Sequence, residues 1–341
     1  MDITIVGLDL AKNVFQVHGI NAAGDVIVRR RFRRAQVRGF FASLAPCLIG
    51  MEACGTAHFW ARELVALGHE VKIIPPSYVK AYVRRGKNDA ADAAAICEAV
   101  ARPNMRFVPV KTEEQQAALM LHKARELLMR QQTMLVNALR AHMVELGMTA
   151  PQGRSRVEDI IAVIEDNEDE SILALAKAAL KPLVAQLRAS EGATAALDAE
   201  IKAWHKGNAA SQLLVTIPGI GFLTASAIAA TVPDPSFFRS GREFSAWLGL
   251  VPRQNSSGGK DRLGRISKQG NPYIRRLLVI GATSMLRYAR AKTAPGADWV
   301  NGLLERRPAR LVTVAMANKT ARVAWALLSK GETYRAPAVA E

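Results

Sequence analysis

"ITIVGLDL", residues 3–10, is a β-branched run that closes on an acid, Asp9. Two similar runs follow, "VFQVHGIN" (14–21) and "DVIVRRRF" (25–32), with the turn-like "AAGD" between them. Three consecutive antiparallel strands are expected. "AQVRGFFASL" then reads as a helix, and "CLIGMEA" (47–53) as a short apolar strand ending at Glu52. "GTAHFWARELVALG" is helical and stops at a glycine, and "EVKIIPP" is a strand halted by Pro75 and Pro76. "KNDAADAAAICEAVA" (87–101) is helical. The order β-β-β-α-β-α-β-α predicts a mixed sheet flanked by helices.

The last of these helices starts with two acids, Asp89 and Asp92, three residues apart and so on one face. Taken alone they suit an ordinary helix start, where Asn88 or Asp89 caps and acids complement the dipole. Asp9 and Glu52 change the balance, because a buried strand rarely ends in an unpaired charge. In a sheet of this order the ends of the first and fourth strands can be neighbours, with a following helix across them. Four carboxylates would then converge and repel unless a cation sat among them, and Mg²⁺ with oxygen ligands fits. Two such ions ~3.5–4 Å apart can polarise a phosphate and activate a nucleophile or a leaving oxygen. "GLDLAK" also opens actin-like nucleotide-binding folds, but no later glycine-rich phosphate loop between strands supports that alternative.

The 341 residues suggest two or three domains. A net charge of +16 and a pI near 10.2 favour a polyanionic partner, most simply nucleic acid, over a membrane surface. "MDITIVGLDL" reads as a strand, so no signal peptide is expected. "LLVTIPGIGFLTASAIAATV" (213–232) approaches the ~20 apolar residues of a membrane span but is split by its Pro-Gly turn. Cys47, Cys54 and Cys97 have no C-x-x-C spacing and read as thiols of a reducing compartment, so a cytoplasmic protein is expected. The histidines are scattered and support neither a metal site nor a triad.

Residues 1–108 make up the α/β segment. From 109 to 206, "EEQQAALMLHKARELLMRQQTMLVNALRAHMVEL" and "SILALAKAALKPLVAQLRASEGATAALDAEIKAW" keep apolar residues at helical spacing, joined by the charged and polar residues 149–170. They read as two long helices, either an antiparallel hairpin or a coiled-coil contact, with a role in self-association. Residues 207–335 form a mainly α segment. Within it "TIPGIG" (216–221) resembles a helix-hairpin-helix turn whose Gly219 and Gly221 offer backbone N–H groups to a phosphate, although a tight helix–helix turn would look the same. Between Arg239 and Arg322 there are seventeen Lys/Arg against four Asp/Glu. "LGLVPRQNSSGGKDRLGRISKQGNPYIRRLL" (248–278) holds an apolar helix stopping at Pro252, then an Asn-Ser-Ser-Gly-Gly loop among Arg253, Lys260, Arg262, Arg265, Lys268, Arg275 and Arg276. A solvated basic loop is one reading; a nucleophilic serine presented to a phosphodiester among arginines is the other.

Together "GLDLAKNVFQVHG", "GMEACGTAHFWARELVALGHEV", "KNDAADAAAI", "TIPGIG" and the 248–278 block resemble transposases of the insertion sequence 110 family, in order and over nearly the whole chain. The resemblance implies a RuvC-like N-terminal domain of the RNase H superfamily, with a DEDD metal site at Asp9, Glu52, Asp89 and Asp92. It also implies a catalytic serine, Ser257, directly preceded by Ser256. Such proteins are thought to join DNA strands through a transient phosphoserine, guided by a structured non-coding RNA encoded beside the gene. They are expected to form tetramers with composite active sites. The expectation is therefore a Mg²⁺-dependent DNA recombinase that works as a homo-oligomer with DNA and RNA and without a membrane. A water-using metal nuclease and a non-catalytic nucleic-acid scaffold are the alternatives.

Overall fold

The β-branched runs pair as their pattern predicts. In a computed structural model, which describes residues 2–83, 88–149, 151, 153, 156–256, 258–260, 262–290 and 297–335, β1 (Ile5–Asp9), β2 (Val14–Ile20) and β3 (Val26–Arg33) form an antiparallel meander. β1 also pairs parallel with β4 (Leu48–Glu52), which pairs parallel with β5 (Glu70–Ile74). The strand order is β3-β2-β1-β4-β5, so β1 lies at the centre and β4 beside it.

Side chains alternate across a strand, and the two faces of β1 and β4 are covered differently. Val6, Leu8, Ile49 and Met51 are fully buried in the larger core, with Phe41 of α1 (Arg34–Ala42) and Trp60 and Leu64 of α2 (Ala57–Ala66). Gly7 and Gly50 occupy the other face, opposite each other in the β1–β4 register. The chain leaves β5 through α3 (Pro76–Val79), and α4 (Asp89–Val100) covers this second face. α4 sits so close that a Cβ on Gly7 would lie 2.0 Å from the Ala93 carbonyl oxygen, and one on Gly50 would lie 2.7 Å from Val100 Cβ. Against Gly7 its contact residues are small, Ala93 and Cys97, while Val100 fills the space above Gly50. Glycines on the strands and alanines on the helix together let the backbones approach.

The rest is mostly helical. α5 (Glu113–Glu145) and α7 (Ala174–Gly207) run antiparallel: Arg125 pairs with Asp198, and the buried Gln132 amide donates to Ser190 O (2.9 Å) and Thr194 Oγ1 (2.9 Å). The joining residues, read from sequence as a charged and polar connection, contain a helix of their own, α6 (Val157–Glu165). Its Val157, Ile160, Ile161 and Ile164 are buried with Leu139, Met143, Leu180 and Val184. This i, i+3, i+4, i+7 stripe was masked by the acids that surround it.

α8 (Ala209–Val215), α9 (Phe222–Thr231), α10 (Gly241–Trp247), α11 (Pro272–Arg290), α12 (Ala297–Leu304) and α13 (Ala309–Lys330) complete the helices. The helix expected to run up to Pro252 ends at Trp247 instead, because Gly249 takes φ +70° and reverses the chain. Pro252 begins β6 (Pro252–Gln254), which pairs antiparallel with β7 (Leu263–Ile266). The Asn-Ser-Ser-Gly-Gly stretch therefore lies between the strands of a two-stranded ribbon. The chain divides into two compact units, Met1–Gln115 with Val232–Phe237, and Gln116–Thr231 with Phe238–Glu341. The N-terminal sheet domain is compatible with an RNase H-like fold. Among the described residues no helix is long and apolar enough to cross a membrane.

Candidate active site

Asp9 lies two residues beyond Gly7, and Glu52 two beyond Gly50, so both acids fall on the sheet face that α4 covers. Asn88 caps α4, its side chain accepting from Ala90 N at 3.0 Å, and fixes where the first turn begins. That turn carries Asp89 and Asp92. Carboxylate oxygens of Asp9, Asp89 and Asp92 lie within 4.8 Å of one another. Glu52 stands at the end of the neighbouring strand but is not one of this triplet. Three of the four acids read from the sequence are thus within reach of one cation.

The electrostatics agree with the geometry. Burial, then the charges of Asp92, Asp89 and Glu52, push the Asp9 carboxyl up from 3.8 to about 6, against a hydrogen bond from the Leu10 backbone. Burial and Asp92 also raise Glu52. Glu52 therefore belongs to the same field although its oxygens stand off. An all-oxygen, multiply anionic pocket of this kind suits a hard divalent ion, and the residues present fit one.

The C-terminal candidates fare differently. Ser257 lies outside the described residues. Its neighbour Ser256 accepts a hydrogen bond from the Arg262 backbone at 3.2 Å, and Asn255 N donates to Arg262 O at 2.9 Å. Arg253 is tied to Ser267 O (3.2 Å), and Arg275 donates to Leu248 O (2.8 Å) and Gln269 O (2.7 Å). Arg276 pairs with Glu126 at 3.0 Å and stacks on Tyr273. These three arginines hold protein. Lys260, Arg262 and Arg265 are exposed, as is Lys268, which is the one non-glycine with positive φ (+55°) among the described residues. Gly219, at φ +83°, packs on α11: a Cβ there would meet Met285 Sδ at 2.7 Å, and one on Gly281 would meet Gly219 O at 2.0 Å. Gly221 is exposed at the start of α9 with open space around it.

The sequence reading missed a buried polar junction. His122 of α5 lies between Tyr273 of α11 (Nδ1 to Oη, 3.0 Å) and Ser226 of α9 (Nε2 to Oγ, 3.1 Å). Ser226 donates its own hydroxyl proton to Phe222 O (2.6 Å), so it accepts from Nε2, and Nδ1 accepts from Tyr273. Burial, helped by Arg125, lowers His122 to about 4, which keeps the ring neutral for this arrangement. No local spacing could have revealed it, because its members are 151 and 104 residues apart.

Two family models match the chain. Residues 6–148, which include all four acids, match a transposase family model of the DEDD type. Residues 211–295 match the model described as "Transposase IS116/IS110/IS902 family". A "Probable family 20 transposase" of Pseudomonas aeruginosa is 48% identical over 336 residues, covering 98% of this chain and 99% of its own. The chain belongs to the IS116/IS110/IS902 family of transposases. The "Transposase for insertion sequence element IS1111A" of Coxiella burnetii is 42% identical, covering 98% of this chain and 92% of its own. The "Transposase for insertion sequence element IS1328" of Yersinia enterocolitica is 39% identical, covering 98% and 99%. The transposase is therefore an enzyme that acts on DNA, cleaving it and transferring strands, which sets aside the non-catalytic scaffold. Its DEDD domain suggests a divalent metal, with Asp9, Asp89 and Asp92 as the acidic cluster.

Proposed function

We propose that this transposase moves its insertion element by serine-mediated strand exchange supported by a Mg²⁺ site. The observation that carries the reading is the triplet Asp9, Asp89 and Asp92, where burial and then the neighbouring acids lift Asp9 to about 6 and leave a place for positive charge. Asp9, Asp89 and Asp92, with Glu52 beside them, would hold Mg²⁺, which when bound supplies Lewis-acid polarisation of a phosphate oxygen.

Ser257 is the proposed nucleophile. Its Oγ attacks the scissile phosphorus, a Ser–O–P bond forms, one bridging P–O bond breaks, and the departing sugar oxygen takes a proton. The phosphoserine conserves the bond energy, so a second strand's hydroxyl can reverse the step without ATP. Ser256, directly before Ser257, accepts from the Arg262 backbone through its hydroxyl and serves as the control in the test below. Lys260, Arg262, Arg265 and Lys268 are exposed and suit the DNA backbone, while Arg253 and Arg275 brace the ribbon through carbonyl partners and Arg276 ties α11 to Glu126 of α5. Gly221 N–H at the start of α9 is the part of the helix-hairpin-helix turn suited to a phosphate; Gly219 serves its packing.

A structured non-coding RNA is proposed as the guide on the strength of the family resemblance, and a net charge of +16 is compatible with holding two polyanions. Self-assembly is proposed through α5, where Met120, Leu127 and Met134 are exposed by 65%, 49% and 66% and repeat every seventh residue.

The test is a trapping assay with the purified transposase, its flanking RNA, Mg²⁺ and labelled junction DNA. A denaturation-resistant protein–DNA adduct should form, persist in Ser256→Ala and vanish in Ser257→Ala. Cleavage without an adduct, still dependent on Asp9, would replace this mechanism with hydrolysis by water.

A further inference from the structure

A second feature of the helical unit shares only Arg265 with the contacts proposed above. α10, the ribbon, α12 and α13 enclose a groove of about 1180 Å³. That is larger than the ~300–1,000 Å³ typical of a small-molecule pocket, and it suits a segment of polymer. Its walls bring together Arg242 from α10, Arg265 from β7, and Lys319 and Arg322 from α13, and among the described residues no Asp or Glu lines it. Trp299 of α12 also lines it, 41% exposed, with the Lys319 ammonium 4.1 Å from the ring centre. Leu311, 55% exposed, adds an apolar edge.

Four cations without a carboxylate call for a polyanion. An exposed tryptophan and leucine inside such a groove call for something flat and apolar as well. Phosphates and base faces of an unpaired strand supply both, as at other single-strand sites, where aromatic rings stack on bases and basic side chains follow the backbone. A closed duplex satisfies only the charge, since its base faces are stacked away. A protein partner would need acidic residues around an aromatic or aliphatic anchor. Because the family acts on DNA, the reading rests on that activity and takes DNA as the strand.

We propose that this groove holds an unpaired DNA segment, with a base stacked on Trp299 and the flanking phosphates met by Arg242, Arg265, Lys319 and Arg322. It would keep a strand apart once the duplex is opened for exchange. None of these residues except Arg265 was singled out by sequence. Regional charge counted the cations but could not separate them from the other basic residues of 239–322.

The test uses the full-length transposase in EDTA, so that binding is read without cleavage. Labelled oligothymidylate, oligouridylate and a duplex of equal length are titrated by fluorescence anisotropy. Trp299→Ala should weaken oligothymidylate binding by roughly tenfold or more, the loss of one stacked base. Trp299→Leu should lose as much, since it fills space without stacking, and so separates stacking from collapse of the groove. Lys319→Gln and Arg322→Gln should each flatten the slope of log affinity against log salt by about 0.7. Duplex binding should change far less in the tryptophan variants. Unchanged oligothymidylate binding would overturn the proposal, as would an equal loss for the duplex. A loss confined to oligouridylate would make the groove an RNA site, and displacement of oligothymidylate only by an acidic peptide would make it a protein site. Failure of the unmodified chain to bind any of the three would count against the DNA-acting reading itself.

Discussion

Asp9→Asn should make the metal-free transposase more stable at pH 8, which is unusual for a residue proposed to be catalytic. Asp9 titrates at about 6 in the fold against 3.8 in the unfolded chain. Each unit corresponds to about 1.4 kcal/mol, so the ionised carboxylate costs the native state at most about 3 kcal/mol. The side chain is only half-buried, and solvent screening reduces that to about 1–2 kcal/mol. The sign follows from linkage: the native state holds the proton more tightly, so the penalty is fully present above pH 6 and disappears as pH falls through 6 towards 3.8. Urea denaturation in EDTA should therefore give Asp9→Asn a gain of about 1–2 kcal/mol at pH 8 and almost none at pH 4. Added Mg²⁺ should reverse the ranking, because it stabilises only a chain that binds it, by about 2.7 kcal/mol at a hundredfold over Kd. A destabilised Asp9→Asn at pH 8 with an undiminished response to Mg²⁺ would refute both the repulsive cluster and its place in the metal site.

Three other perturbations probe the scaffold. Gly7→Ala should cost about 3 kcal/mol or more by urea denaturation, since its Cβ would meet the α4 backbone at 2.0 Å and 2.5 Å, whereas Gly39→Ala on α1, with open space around it, should be neutral or stabilising. Gln132→Leu should cost about 1–2 kcal/mol by the same measurement, because it removes the donor to the buried Thr194 hydroxyl and one donor to the Ser190 carbonyl, which keeps its bond from Thr194 Oγ1. His122 is neutral and lowered to about 4, so its contribution is present above pH 6.5 and is lost as pH falls towards 4. The loss reaches about 3 kcal/mol in the wild type, and His122→Gln should flatten that part of the pH profile.

Sequence made the sheet domain legible because its signals are local. Period-two runs, glycine and proline stops and the Asn88 cap each act within a few residues, and each matches an observed element. α6 was hidden because a short apolar stripe was set among Glu158, Asp159, Glu165, Asp166 and Glu168, and local charge outweighed periodicity. The β6–β7 ribbon was read as the end of a helix and a loop, because its three- and four-residue strands carry no alternation long enough to notice. The His122 junction and the Trp299 groove are assembled across distant helices, where no spacing rule applies. Among the basic residues the sequence could supply charge but not commitment: that Arg275 is spent on two backbone carbonyls while Arg262 is exposed is a fact of packing alone.

Two four-residue steps explain why the acids meet at all. On α4, Asp89, Ala93 and Cys97 form one i, i+4 row, and Asp92, Ile96 and Val100 form another. Ala93 and Cys97 are the atoms against Gly7, and Val100 those against Gly50, so each row is seated on one strand. From Ala93 back to Asp89 the helix travels about 6 Å. From Gly7 to Asp9 the strand travels about 6.6 Å in the same direction, since α4 starts where β1 ends. The Gly7 contact therefore acts as a shared origin, and Asp9 on the strand and Asp89 on the helix lie at nearly equal distances from it, whereas Asp92 lies eight residues, about 12 Å, from Val100 and so overshoots the step of about 6.6 Å from Gly50 to Glu52, which stands off. Asp92 faces both strands: it is the acid that raises Glu52 after burial, and it is the first of the neighbouring charges on Asp9. Gly-x-Asp on one strand, Gly-x-Glu on its parallel neighbour and Asp-x-x-Asp-Ala on the helix are thus parts of one packing device. The acids are held against their repulsion by close contact with the α4 backbone at Gly7 and with the Val100 side chain at Gly50, and by the core beneath.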